Sequence, residues 1–177
     1  MRLLREDSNL AKLTGDRFAP MLEAAGTPAD PSRIIVVSSI AGTHVTHTGN
    51  NGTIMYSVSK AAAHHLTRNL AIELGPRNIT TNTVAPGFFP SKLANGLIEI
   101  LGGEEALKKA NPRKRLGIPE DIAAVVLFLT GPAASYMYVL PELCFSLCDY
   151  LLTYCRNGVD IPVDGGNRLV EGSLAKL

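Results

Sequence analysis

A short run of branched apolar residues constrains the fold of this chain more than any other feature. Residues 34–37 read Ile-Ile-Val-Val, a continuous β-branched stretch. Such a stretch predicts a strand buried on both faces, as strands are in a parallel sheet. Ser38, Ser39 and Gly42 follow where the strand should end, and ligands of open parallel sheets bind beyond that end. Two serines before a glycine are also ordinary turn residues, so the pair alone does not identify a site.

Helical and extended patterns alternate along the rest of the chain. The long second helix should stop at Gly75 and Pro76, and Pro119 suits a first helical turn. Strands that alternate with helices indicate an α/β fold with a parallel sheet, and 177 residues suit one domain. The predicted helices cover residues 9–25, 55–74 and 119–130, with helical pieces near 91–100 and 104–110, and the predicted strands cover 33–38, 79–85 and 158–163.

Tyr56 and Lys60 lie four residues apart in the predicted helix 55–74. Residues at this spacing share one helical face, with Cβ atoms about 5–6 Å apart. A neighbouring ammonium stabilises a phenolate, so that a tyrosine beside it could exchange a proton near neutrality. The pair therefore suits acid/base chemistry, although a surface helix with a solvated lysine and a half-buried tyrosine would also contain it.

The predicted strand 79–85 ends in a second turn at the same edge of the sheet. Pro86 has no amide hydrogen, and Gly87 permits a close approach to the backbone. A flat ligand ring could lie against this turn. An ordinary strand-ending turn would have the same two residues.

The order of these motifs resembles the short-chain dehydrogenase/reductase family. A serine-bearing strand end is followed by the Tyr-x-x-x-Lys helix and by a strand ending in Ala-Pro-Gly, and "RLGIPEDIAAVVLFL" and "GVDIPVDGG" resemble the closing segments of the family. The resemblance covers roughly residues 30–136 and 157–168. It implies a doubly wound, Rossmann-like parallel sheet, and the similarity is greatest to the 3-oxoacyl-(acyl carrier protein) reductase-like branch, including relatives linked to rhamnolipid synthesis.

The resemblance also implies a catalytic set. Tyr56 would be the general acid and base, and Lys60 would assist it. Ser39, rather than Ser38, would hydrogen-bond the carbonyl oxygen of the substrate. The implied reaction is hydride transfer between a nicotinamide cofactor and a small-molecule carbonyl or secondary alcohol.

A cofactor site follows from the same resemblance. Lys60 would bond the nicotinamide ribose beside Tyr56, Pro86 and Gly87 would border the nicotinamide, and Ser91 would reach its carboxamide. The expected cofactor is NADP or NAD, with NADP slightly favoured.

The glycine-rich phosphate loop of the family, T-G-x-x-x-G-x-G, does not occur in the chain. The pyrophosphate of a dinucleotide normally lies on that loop and the helix after it. We therefore expect a truncated Rossmann-like domain, with about 90 further residues needed ahead of Met1 at about 30 per missing strand–helix unit. The alternative to an active oxidoreductase is a catalytically inactive remnant or an interaction module.

Residues 137–156 differ in composition from their surroundings. The segment contains all three cysteines and three of the five tyrosines. We interpret it as a foreign insertion, such as a translated intron, and an amphipathic helix over residues 142–155 is the alternative. Cys144 and Cys148 lack a neighbouring histidine, so buried apolar cysteines are favoured over a metal site. Charged residues and Pro141 interrupt the apolar run, which argues against a membrane span.

The remaining features point away from nucleic acid and membranes. The net charge is +1, and the basic run at residues 113–115 reads as a solvated loop. His44, His47, His64 and His65 read as surface or substrate-loop residues. The first residues lack the apolar core of a signal peptide, and cysteines outside residues 137–156 are absent, so we expect a cytoplasmic protein. Family resemblance adds a possible homo-oligomer that forms through the Tyr56 helix.

Overall fold

The computed structural model describes residues 17–45, 53–92, 94–135 and 158–174. The elements, numbered in chain order, are α1 (Ala19–Ala25), β1 (Ser32–Val37), α2 (Ile54–Leu74), β2 (Ile79–Pro86), α3 (Asn95–Ile100), α4 (Gly103–Ala110), α5 (Pro119–Thr130), β3 (Asp160–Val163) and α6 (Asn167–Leu174). The predicted insertion at 137–156, with its cysteines, and His47 lie outside the described residues.

The three described strands form one parallel sheet in the order β1-β2-β3. Ser32 pairs with Ile79 and Val37 with Val84, while Thr83 pairs with Asp160. The prediction of an α/β fold with a parallel sheet is confirmed. β2 lies in the centre and is almost wholly buried.

The prediction that β1 is buried on both faces is wrong. Val36 is buried, but Val37 is 57% exposed and the strand is otherwise half-buried. Within the described residues β1 pairs only with β2, so it forms an edge of the sheet. A strand at an edge has fewer neighbouring elements to cover its side chains, so the apolar residues of β1 remain partly exposed.

Apolar clusters cover both faces of the sheet, which makes the fold doubly wound. Successive strand residues point to opposite faces, so Ile34 and Ile35 belong to different clusters. One cluster joins the sheet to α1 and α2 through Ala19, Leu22, Ile34, Leu70, Leu74 and Ile79. The other joins it to α5 through Ile35, Val84, Ile122, Val125, Val126, Leu129, Ala134, Ile161 and Val163.

Local backbone chemistry accounts for the shifted element boundaries. α1 begins at Ala19, while residues 9–16 of the predicted helix are outside the described part. The predicted strand 158–163 begins only at Asp160, because Gly158 has a φ of +92°. The helix α6 was not predicted from the sequence. At its start, the Asp164 carboxylate accepts hydrogen bonds from the backbone amides of Gly166 and Arg168.

The start of α5 confirms the expected proline and acidic first turn. Pro119 is the first helical residue, and the Asp121 carboxylate accepts the Ile118 amide at 2.9 Å. Arg115 donates two hydrogen bonds to the same carboxylate, at 2.6 and 2.8 Å. The Arg115 guanidinium and then the Ile118 amide lower the pKa of Asp121 to about 2. The basic run at 113–115 is therefore not merely solvated, since Arg115 anchors a helix start.

In the described part of the chain, the helices are too short or too polar to span a bilayer. The same residues contain no cluster of histidine, cysteine and carboxylate side chains able to hold a metal ion.

Candidate active site

Ser39 lies where β1 and β2 reach the same edge of the sheet. The strand pairing continues past β1, since the Ser38 amide donates to Val84 O at 2.8 Å. Ser39 then caps a short 3-10 turn, and its Oγ accepts the Ala41 amide at 3.2 Å. The same hydroxyl donates to Pro86 O at 3.4 Å. Ser39 is thus held against the end of the neighbouring strand.

α2 brings Tyr56 and Lys60 to this edge. The Lys60 ammonium lies 5.7 Å from the centroid of the Tyr56 ring and donates to Val37 O at 3.4 Å. Ser38 Oγ donates to Lys60 O at 2.9 Å, which ties the helix backbone to the strand end. The predicted neighbourhood of phenol and ammonium is therefore present, and Ser38 serves the docking of the helix.

Gly42 allows α2 to approach the turn after β1. A Cβ at this position would lie 2.7 Å from Lys60 C and 2.8 Å from Lys60 O. Backbone atoms cannot move aside as a flexible side chain does, so a larger residue would push the helix outward. The distance between the Ser39 turn and the helix of Tyr56 depends on this glycine.

A cavity of about 410 Å³ opens at the shared edge. Five of the six predicted site residues line it, and Lys60 is absent from the lining because its ammonium lies beside the Tyr56 ring towards Val37. The lining consists of Ser38, Ser39, Ile40, Ala41, Thr53, Tyr56, Pro86, Gly87, Phe88, Phe89, Ser91, Ala94 and Leu97.

Gly87 has a packing role that differs from the expected one. A Cβ on Gly87 would lie 2.7 Å from the Cβ of Asp164, and the Gly87 amide donates to Val163 O at 3.0 Å. The close approach seen here is to the turn after β3, whereas the sequence suggested an approach by a ligand ring. Both can hold, because Gly87 also lines the cavity.

His64 contradicts its expected place on the surface. Its side chain is buried, and the residue is 1% exposed. Nε2 lies 3.1 Å from Ser39 O and carries a proton, since a carbonyl only accepts. Nδ1 lies 2.7 Å from Asp160 Oδ1, but the geometry of this contact is not that of a hydrogen bond. The other carboxylate oxygen of Asp160 forms an ion pair with Arg68 at 2.9 Å.

The sequence contains a signal for the position of His64 on the helix. Tyr56, Lys60 and His64 follow one another at intervals of four residues, so they share one face of α2. The Asp160 contact was not readable, because it joins residues 96 positions apart through the fold. The cavity wall of Phe88, Phe89 and Leu97 was also missed, because it depends on how the loop after β2 and the helix α3 fold back over the strand ends.

Fold and site together define a class of protein: a doubly wound α/β domain in which a serine, a tyrosine and a lysine gather at the carboxyl ends of neighbouring strands. A family model described as enoyl-(acyl carrier protein) reductase matches residues 16–139. The chain belongs to the short-chain dehydrogenase/reductase family, and the resemblance noted in the sequence is confirmed.

Known proteins of several branches are similar to this chain. The 3-oxoacyl-[acyl-carrier-protein] reductase FabG of Aquifex aeolicus is 42% identical over 59% of this chain and 40% of its own length. The rhamnolipids biosynthesis 3-oxoacyl-[acyl-carrier-protein] reductase of Pseudomonas aeruginosa is 33% identical over 86% of this chain and 51% of its own. The chain thus spans about half the length of the curated relatives it matches.

The solved structures agree with this fold. The RhlG/NADP active-site complex of Pseudomonas aeruginosa is 33% identical to the chain, with a TM-score of 0.64. The match covers 84% of this chain and 50% of that one.

Proposed function

We propose that this chain reduces a carbonyl compound, or oxidises the corresponding secondary alcohol, with a nicotinamide cofactor. One observation carries the proposal. Ser39 and Tyr56 face the same largely apolar cavity, and the Lys60 ammonium lies 5.7 Å from the Tyr56 ring. A hydrogen-bond donor, a proton donor and a stabilising cation are the groups that reduction of a carbonyl requires.

Each side chain has a distinct task in this proposal. Ser39 donates a hydrogen bond to the carbonyl oxygen and so fixes its position. Tyr56 delivers a proton to the same oxygen as negative charge develops there. Lys60 stabilises the phenolate that remains, and the apolar wall strengthens these interactions because it excludes water.

The cavity edge suits the nicotinamide half of the cofactor. Pro86, Gly87 and Ser91 border the cavity beside Tyr56, so a flat ring and a carboxamide would meet an apolar turn and a hydroxyl. When bound, the cofactor supplies the hydride. On this proposal Ser91 binds the carboxamide and Lys60 binds the ribose. NADP is favoured over NAD because the similar RhlG structure is an NADP complex.

Cofactor binding tests the proposal first. NADPH fluorescence should change on titration with the protein, and Tyr56→Phe should keep this binding while turnover falls by about 100-fold or more. Ser57→Ala is a matched control, because Ser57 lies next to Tyr56 but outside the cavity lining. Failure to bind millimolar NADPH and NADH would reject the oxidoreductase proposal and favour the interaction module.

The proposal includes a cytoplasmic location and a homo-oligomer formed through α2. Ile54, Met55, Val58 and Ile72 are exposed on this helix, with Ile72 at 74%. Exposed apolar side chains on one element favour burial against a partner. Light scattering after size-exclusion chromatography should give a mass above that of one chain, and Ile72→Lys should lower it if the face is used.

A further inference from the structure

A second cavity, of about 380 Å³, adjoins the candidate active site, because Phe88 and Phe89 line both. Arg113 and Arg115 of the basic run form another part of its wall, together with the turn at residues 164–166 after β3. None of the three proposed catalytic side chains lines it. The carbonyl chemistry proposed above therefore leaves this cavity without a role.

A buried asparagine fixes the position of Arg113 in this wall. Asn111 Nδ2 donates to Asp164 O at 2.9 Å, and its Oδ1 accepts the Arg113 amide at 2.8 Å. The stem of Arg113 lies beside Gly165, since a Cβ added to that glycine would be 3.2 Å from Arg113 Cγ. Gly165 has a φ of +63°, in the left-handed region that favours glycine. The arginine stem is therefore placed along the cavity wall.

The carboxylates that line the cavity already have partners. Arg115 donates to both oxygens of Asp121, and two backbone amides at the start of α6 donate to Asp164. The Arg113 guanidinium, by contrast, makes no hydrogen bond or ion pair with any other described residue. Its charge adds, after Arg115 and the Ile118 amide, to the lowering of the pKa of Asp121, so it acts across the same cavity. Arg113 therefore brings to the lining a charge and N–H donors without a partner of their own.

The chemistry of the lining selects one class of ligand. A guanidinium is planar and presents parallel N–H donors, which match the two oxygens of a carboxylate or a phosphate. Phe88, Phe89, Leu116 and Val163 supply apolar surface in the same cavity. A neutral polar molecule would lose hydrogen bonds to water at these side chains and gain no ionic contact in return. A ligand that uses both parts of the lining carries one oxyanion on a small apolar body.

We propose that the second cavity is a binding site for a small organic oxyanion. The Arg113 guanidinium holds the carboxylate or phosphate group through paired hydrogen bonds, and the apolar body of the ligand packs against Phe88 and Phe89. Because the same two rings line the candidate active site, a bound anion also contacts one wall of that site. Binding here does not depend on the carbonyl chemistry proposed above, so the two are tested separately.

Three probes of similar length test the site: hexanoate, hexyl phosphate and the neutral hexanamide. Calorimetric titration of the full chain should detect at least one of the anions. Hexanamide should bind more weakly by about 10- to 100-fold, the value of a hydrogen bond to a charged group. The amide NMR signals of Gly165 and Gly166 should shift with the anion, because both residues line the cavity. Tighter binding of hexanoate would assign the site to carboxylates, and tighter binding of hexyl phosphate would assign it to phosphate esters.

Variants of two neighbouring basic residues separate a specific contact from a general effect of charge. Arg113→Gln should weaken binding of the anion by about 10-fold or more, and Arg113→Lys should lose part of it because an ammonium lacks the planar fork. Lys114→Gln removes the same charge but should leave the affinity unchanged, since Lys114 Nζ donates to Lys109 O at 2.7 Å and the residue lies outside the lining.

Four results would overturn the proposal. The first is an equal loss of affinity in Arg113→Gln and Lys114→Gln, and the second is equal binding of hexanamide and the anions. The third is binding of an anion that leaves the Gly165 and Gly166 signals in place. The last is no binding of either anion at millimolar concentration.

Discussion

At the scale of single residues, a buried histidine that was expected on the surface contacts the turn of the candidate site. His64 contacts the backbone oxygen of Ser39 on one side and Asp160 of β3 on the other. It therefore joins the turn that bears the proposed substrate-binding hydroxyl to the last described strand. On the proposed function, a side chain in this position would act on the reaction through Ser39, as a positioning residue.

Replacing His64 should weaken both the fold and the proposed site. His64→Leu keeps the apolar volume but removes the ring hydrogen bond to Ser39 O, which then retains only the Gly42 amide at 3.0 Å. Loss of one such hydrogen bond costs about 0.5–1.5 kcal/mol. Urea denaturation should show this loss, and the KM for a carbonyl substrate should rise with it. His65→Leu is the matched control, because the neighbouring side chain is exposed. Equal stability of the two variants would show that His64 contributes only packing.

Local sequence predicted the residues that meet at the strand ends because each one follows a pattern within a single element. Ser39 follows an apolar run, and Tyr56 and Lys60 share one helical face. The role of His64 was missed for a different reason. His64 shares the helical face of Tyr56 and Lys60, but its contact partner Asp160 comes from a distant strand. That contact is set by the fold and leaves no local pattern.

At the scale of elements, the approach of α2 to the end of β1 depends on Gly42. Gly42→Ala would place a methyl group 2.7 Å from the Lys60 carbonyl carbon, and the helix must shift to relieve the contact. We expect a destabilisation of about 1–3 kcal/mol in thermal or urea unfolding. Gly96→Ala is the control, since no atom lies within 4 Å of its added Cβ, and it should be neutral or slightly stabilising.

The ion pair at the start of α5 makes the stability of the fold depend on pH in the acid range. Arg115 and the Ile118 amide lower the pKa of Asp121 from 3.8 to about 2. Because the folded-state pKa lies below the unfolded value, this stabilisation is complete above about pH 4 and is lost as pH falls through about 2. Asp121→Asn should lower the Tm at pH 6 and flatten its decline below pH 4. Parallel Tm curves for the two chains would contradict this assignment.

At the scale of the whole molecule, the described sheet has a buried central strand, β2, and an edge strand, β1, whose outer side is unpaired within the described residues. β2 lies between two strands and is almost wholly buried, whereas β1 pairs on one side within the described residues. The apolar run of β1 predicted a parallel strand correctly, but taken alone it does not indicate an edge position. The position of β1 in the sheet depends on which other strands pair with it, and the sequence of residues 34–37 does not specify those partners.

Amide hydrogen exchange should report this asymmetry. The Ser32 amide donates to Asn78 O just before β2, and the Ser38 amide donates to Val84 O in β2. The two-residue repeat of a strand therefore points the amides of Ile34 and Val36 inward and those of Arg33, Ile35 and Val37 towards the open edge. The outward amides should exchange faster than the inward ones, and β2 amides should be slowest. Protection of the outward set that rises with protein concentration would instead show that a second copy pairs at this edge, since an unpaired backbone row is a template for another strand.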